Sequence, residues 1–183
     1  MSVRLTKNQG VVLKKSDPTA TSPQAIFLGL GWTANGVDLD ASAATFDPQG
    51  NLLELIYFNQ PSNSNGSIKH SGDDITGGSG EDDERIYIDL KRIEPNVKTI
   101  VTTVTSARAT PFTAVERATV RIVDQGSNEE LCRFELTEHG SHTALLMAKI
   151  ERTVDGEWTV TALGQPAQGT TIHRLKDAMR RVL

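Results

Sequence analysis

The chain lacks most of what lets a short motif name its chemistry. One cysteine in 183 residues excludes an intramolecular disulfide. No apolar run reaches the roughly 18 residues that a membrane span needs. No charged-then-apolar leader opens the chain, so a cytoplasmic protein is the default expectation. There is no Gly-x-Ser-x-Gly elbow, no phosphate loop and no dinucleotide fingerprint. Bases are nearly missing from Thr33 to Glu84, where Lys69 is the single Lys or Arg against ten acids. Of the chain's 23 acids and 19 bases, 13 and 18 lie elsewhere, so the net charge of −4 hides a strongly polarised molecule. An acidic region of this kind repels phosphates and is a poor surface for nucleic acid.

What is present in that region is oxygen. His70 to Glu84 packs six carboxylates and four glycines into fifteen residues with no Lys or Arg. Crowded carboxylates raise one another's pKa values unless a positive charge sits between them. Ca2+ supplies that charge, taking roughly 6–8 oxygen ligands at about 2.3–2.6 Å. The glycines let the chain turn sharply and bring carbonyl oxygens near an ion. The plain alternative is a solvated acidic loop. A second cluster, Asp38-Leu39-Asp40-Ala41-Ser42, reads as the start of a strand whose alternation puts Asp38, Asp40 and Ser42 on one face. The EF-hand template fails, because the places for its Gly and Glu hold Ala43 and Gln49. The β-helix calcium repeat fails because Gly77-Gly78-Ser79-Gly80-Glu81-Asp82 occurs once. A site here has to be assembled from separate segments. Magnesium is the poorer candidate, since it demands octahedral geometry and keeps its waters.

The rest of the chain reads as β. Strands are expected over Val3–Thr6, Val11–Lys15, Ala25–Trp32, Leu39–Phe46, Leu52–Phe58, Arg85–Leu90, Thr99–Thr105, Thr119–Val123, Leu131–Leu136, Thr143–Glu151 and Trp158–Leu163. Turn signals separate them: Asp17-Pro18, Asn35-Gly36, Asp47-Pro48-Gln49-Gly50, Asn65-Gly66, Gln125-Gly126 and Asp155-Gly156, the last a two-residue hairpin signal. Asn59 to Glu84 is a long connection that an ion would order. The expected fold is all-β: a two-sheet sandwich of short antiparallel strands with a long acidic loop. One domain spans 1–183, the sandwich about 1–165 and a C-terminal helix about 171–183. In that helix Ile172, Leu175, Met179 and Val182 recur at helical spacing, with Arg174, Lys176, Arg180 and Arg181 on other faces. It either docks on the sandwich or meets an anionic partner or membrane surface, and Thr170 or Thr171 is its expected cap.

Other candidates carry less. Cys132 shares a strand face with Phe134 and Leu136 and reads as a buried thiol. His139 and His142 sit three apart in a polar turn with no nearby cysteine, a weak basis for zinc. Gly29-Leu30-Gly31 inside an apolar strand points to close packing or a bulge. A metal-assisted hydrolase built on the acids would have His70 as its one nearby histidine base.

Taken in order, Gly29-Leu30-Gly31-Trp32, Asp38-Leu39-Asp40-Ala41-Ser42, Tyr57-Phe58-Asn59, Gly66-Ser67-Ile68-Lys69-His70-Ser71-Gly72-Asp73, Ile75-Thr76-Gly77 and Asp82-Asp83-Glu84 resemble the TerD family of bacterial tellurium-resistance and general stress proteins, as does the opening Val3-Arg4-Leu5-Thr6-Lys7. The resemblance covers about residues 1–165. It implies a β-sandwich that binds calcium, two ions side by side, with no established enzymatic activity. It also implies work in complexes with other stress and tellurite-resistance proteins at the inner face of the membrane. The metal ligands it implies here are Asp38, Asp40, Asn59, Asp73, Asp82, Asp83 and Glu84, with Asp74 and Thr76 alongside. Asp74 stands where the family usually has Asn, and Glu81 where it usually has Gly; Glu81 is left out of the set. The C-terminal helix lies outside the resemblance.

The expected mechanism is ion-dependent ordering: carboxylates of Asp38, Asp40 and the Asp73–Glu84 loop repel without the ion, and calcium draws them together into a surface that a partner reads. The alternatives are a calcium-dependent membrane or carbohydrate binding module and a metal-dependent hydrolase. Tellurite is itself an oxyanion and is not attracted to acids.

Overall fold

The structure, a computed structural model, describes residues 10–12, 23–33, 36–78, 80–136 and 140–183. Two antiparallel sheets face each other. The larger runs β1 (Gly10–Val12), β11 (Trp158–Ala167), β10 (Ala144–Arg152), β7 (Thr99–Ser106), β3 (Leu39–Phe46) and β4 (Leu52–Ile56), in that spatial order. The smaller runs β5 (Ile68–His70), β6 (Glu84–Asp89), β2 (Ala25–Gly31), β8 (Thr119–Asp124) and β9 (Glu129–Glu135). The all-β sandwich read from the alternation is therefore the observed architecture.

Alternation decides which side chains meet between the sheets. Leu39, Ala41 and Ala43 of β3 face Ile26, Leu28 and Leu30 of β2 and Ile86 and Ile88 of β6 in one core cluster. Cys132 belongs to it, and burial pushes its thiol up to about 12, so it is a packing residue and not a nucleophile. The opposite face of the large sheet carries a second apolar cluster of Ala44, Phe46, Val101, Ala144 and Leu146. The C-terminal segment covers it. A 3-10 turn (Ile172–Leu175) leads into a short helix, α1 (Lys176–Arg180), and Ile172, Leu175 and Met179 are buried there. Of the two readings of this basic segment, docking on the sandwich is the one realised; Arg174, Lys176, Arg180 and Arg181 stay exposed. Thr171 stands at the cap position but its side chain makes no cap hydrogen bond.

Three local features differ from expectation. The connection from Asn59 to Glu84 contains β5, where Ile68 pairs with Ile88 and His70 with Ile86. Three residues are too few to show a period. The Asp155-Gly156 turn is longer than two residues: Thr153 N–H donates to the Glu157 carbonyl at 2.7 Å and Gly156 takes φ +82, leaving Val154 fully exposed at the tip. β11 runs on to Ala167 and β9 starts at Glu129, both beyond their expected bounds. The strand expected over Val3–Thr6, most of that over Val11–Lys15, the Asp17-Pro18 turn, Asn35 and His139 lie outside the described residues.

Candidate metal centre

The site begins with an incomplete strand pairing. β4 pairs with β3 only from Ala43 onward, so the first half of β3 has an open edge. Glu84, the first residue of β6 in the other sheet, closes it. Its carboxylate is fully buried, and Oε2 accepts the Ala41 N–H at 2.8 Å while Oε1 accepts the Asp74 N–H at 3.1 Å. One side chain thus ties the edge of the large sheet to the acidic loop. His70 Nε2 stands 3.4 Å from Glu84 Oε2, and Nδ1 accepts the Gly72 N–H at 3.0 Å.

Against this tie the carboxylates gather. Asp38, Asp40 and Asp73 each offer an oxygen, all within 4.8 Å of one another. That is the span of two oxygens on opposite sides of one calcium at about 2.4 Å. Asp40 is almost fully buried; burial first, then the charges of Glu84, Asp38 and Asp73, push its carboxyl up to about 7 against a smaller opposing effect of His70. Burial also raises Asp38, with Asp73 and Asp74 adding to it, against the lowering by Arg108 3.9 Å away. Asp38 Oδ1 is buried with no hydrogen-bond partner. A crowded set of hard oxygens, graded from buried Asp40 to exposed Asp73 and including one buried unpartnered atom on Asp38, is the chemistry a divalent cation completes, so the residues fit calcium.

The other expected ligands are placed differently. Asp74 Oδ1 accepts from Thr76 N, Thr76 Oγ1 and Gly77 N, all at 2.8–2.9 Å, so Asp74 and Thr76 shape the loop's turn. Asp83 Oδ2 accepts the Trp32 N–H at 2.8 Å, and its own N–H bonds the Leu30 carbonyl. Asn59 is exposed at the tight turn in which Tyr57 and Gln60 bridge. Asp82 is engaged with guanidinium groups. Arg121 donates to it from Nε at 2.8 Å and Nη2 at 2.7 Å, and Arg85 Nε from 2.9 Å. Burial acts to raise the Asp82 carboxyl, but the bonds and charges of Arg121 and Arg85 outweigh it and hold it below the usual carboxylate range. Sequence reasoning missed Arg121. Its one indirect signal was Gly29: a Cβ there would strike the Asp82 carboxylate, and one at Gly31 the Glu81 carbonyl. The loop therefore lies directly on β2, as close packing at Gly29-Leu30-Gly31 predicted.

Fold and site define a class: a two-sheet antiparallel sandwich whose open edge gathers acids from a strand start and a following loop. The TerD domain family matches residues 1–177, and the chain belongs to that family. The match runs past residue 165 and takes in the C-terminal 3-10 turn, which the sequence resemblance had left outside. The chain is 36% identical over 184 aligned positions to the tellurium resistance protein TerZ of Serratia marcescens, with 93% of each chain covered. It is 36% identical to general stress protein 16U of Bacillus subtilis, covering 92% of this chain and 93% of that one. The crystal structure of a homologue of the telluride resistance protein TerD from Streptomyces coelicolor shares the fold, with TM-score 0.78 at 18% identity over 86% of this chain and 97% of that chain. No helix among the described residues is long and apolar enough to cross a membrane.

Proposed function

We propose that this protein is a calcium-binding, non-enzymatic stress and tellurite-resistance protein that uses the ion to complete an acidic interaction surface. The observation that carries the reading is the grouping of Asp38, Asp40 and Asp73 within 4.8 Å, with a buried unpartnered oxygen on Asp38. Asp38, just before β3, and Asp40 within it hold the ion from the large sheet, and Asp73 holds it from the loop, where it is exposed. The ion supplies a compact double positive charge that lets all three acids ionise together. Glu84 and Asp74 hold the loop against β3, and the clamp on Asp82 holds it against β2. In this reading Glu84 and Asp82 anchor the two ends of the acidic stretch, and the ion draws Asp73 onto Asp38 and Asp40. Asp82 acts in this reading as an anchor and not a ligand. A non-catalytic role is supported by the full burial of the His70 ring, whose Nδ1 accepts the Gly72 N–H and whose Nε2 lies 3.4 Å from Glu84 without a hydrogen bond. Partners are other stress-response proteins that read the completed surface, in the cytoplasm at the membrane's inner face.

Calorimetric titration of chelator-stripped protein with calcium, with magnesium as control, tests this. Binding of calcium well above that of magnesium, lost in D38N/D40N, is the expected result. Equal weak heats from both ions would leave the acids as a solvated surface.

A further inference from the structure

The large sheet hides a second set of oxygens beside the acids. Strand register places Thr105 of β7 directly opposite Asp40 of β3, and Thr103 opposite Ser42. Directly opposed residues share a face, with Cβ atoms about 4.5–5.5 Å apart. Thr105 is 1% exposed and Thr103 0%, and neither hydroxyl has a hydrogen-bond partner. A buried hydroxyl left unpaired is destabilising and calls for an explanation. Valine has the same shape and carries no such cost, and β-branched residues are at home in a strand. The oxygen at 105 is therefore an unpartnered neutral donor on the same sheet face as the buried Asp40 carboxylate.

We propose that the Thr105 hydroxyl is the inner, uncharged oxygen donor of the cation site, facing the ion from the sheet side while Asp73 faces it from the solvent side. This rests on the calcium reading of Asp38, Asp40 and Asp73. Calcium fills a shell of roughly 6–8 oxygens and accepts neutral donors, whereas magnesium retains its waters. A hydroxyl beside Asp40 thus adds a ligand without adding to the repulsion among three acids, and favours calcium over magnesium.

The test uses T105V, T105S and T103V in the full chain, read by calcium calorimetry and by melting in chelator. T105V is expected to bind calcium roughly tenfold more weakly, the order expected for losing one interaction with a charged group. In chelator it melts at or above the wild-type temperature, because an unpaired buried hydroxyl is gone. T105S restores the affinity. T103V, equally buried but facing Ser42, leaves it unchanged. Wild-type affinity in T105V would overturn the proposal and leave Thr105 satisfied by a buried water alone. Weak binding by T105S as well as T105V would also overturn it, since the methyl group would then be what matters. Absence of calcium binding by the wild type would be a different failure, that of the calcium reading itself.

Discussion

Glu84 and Ala41 belong to different sheets, yet the Glu84 carboxylate accepts the Ala41 amide hydrogen at 2.8 Å where a strand partner would otherwise sit. A glutamine there keeps the shape but turns one acceptor into a donor facing an N–H. E84Q is expected to lower stability by about 1–3 kcal/mol, the cost of leaving buried donors unpaired. Urea unfolding at neutral pH measures it.

Asp40 sets a pH dependence. Its carboxyl is raised from 3.8 to about 7, so between those values the folded, ion-free protein holds a proton that the unfolded chain has released. Stability from this group is present below pH 3.8 and is lost as pH rises towards about 7. Calcium must displace that proton, so affinity should climb as pH rises through the same window. Calorimetry in two buffers of different ionisation heat should show proton release at pH 6, absent in D40N.

The Asp82 carboxyl is shifted the other way and contributes stability that is present above 3.8 and lost as pH falls. R121Q leaves a carboxylate with a 1% exposed side chain held by Arg85 alone. About 3 kcal/mol is the expected loss, at the low end for breaking a buried pair. R121K should recover little of it, because an ammonium group cannot make two parallel bonds. Chemical denaturation of both variants decides.

G29A drives a methyl group into the Asp82 carboxylate from the strand below. A cost of about 1–3 kcal/mol is expected for the overpacking. Calcium affinity should fall with it, because the loop carrying Asp73 is lifted. G126A is the control for affinity: its backbone is not left-handed, and a Cβ there meets Asp124 Oδ1 at an ordinary 3.4 Å.

Met179 is buried where α1 meets Phe46, Leu146 and Leu175 in one apolar cluster. M179A is expected to cost about 2–4 kcal/mol by cavity formation. Thermal melts of the variant against the wild type should show the loss.

Strands whose side chains alternate between two buried or half-buried faces were readable from the chain. Leu39–Phe46 was placed to the residue, because its Asp-Ala-Ser-Ala alternation and the Asp47-Pro48 stop leave little choice. β5 was not readable, since three residues gain their strand character from pairing with β6. The acids of the site were visible as acids, but their division of labour was not. Asp82 and Asp73 look alike in sequence. Only the topology brings Arg121 onto one, 39 positions away, and Asp38 with Asp40 onto the other. Periodicity could say that Arg121 points outward from β8, but not which loop crosses in front of it.

β2 is the middle strand of its sheet, and its two glycines form a flat bed on which the acidic loop rests. Its other face supplies Ile26, Leu28 and Leu30 to the core. A single strand therefore has the hydrophobic interior on one side and the acidic loop on the other, about one backbone thickness apart. Small changes in interior packing should therefore shift the loop, and the spacing of its carboxylates, without altering a single acid.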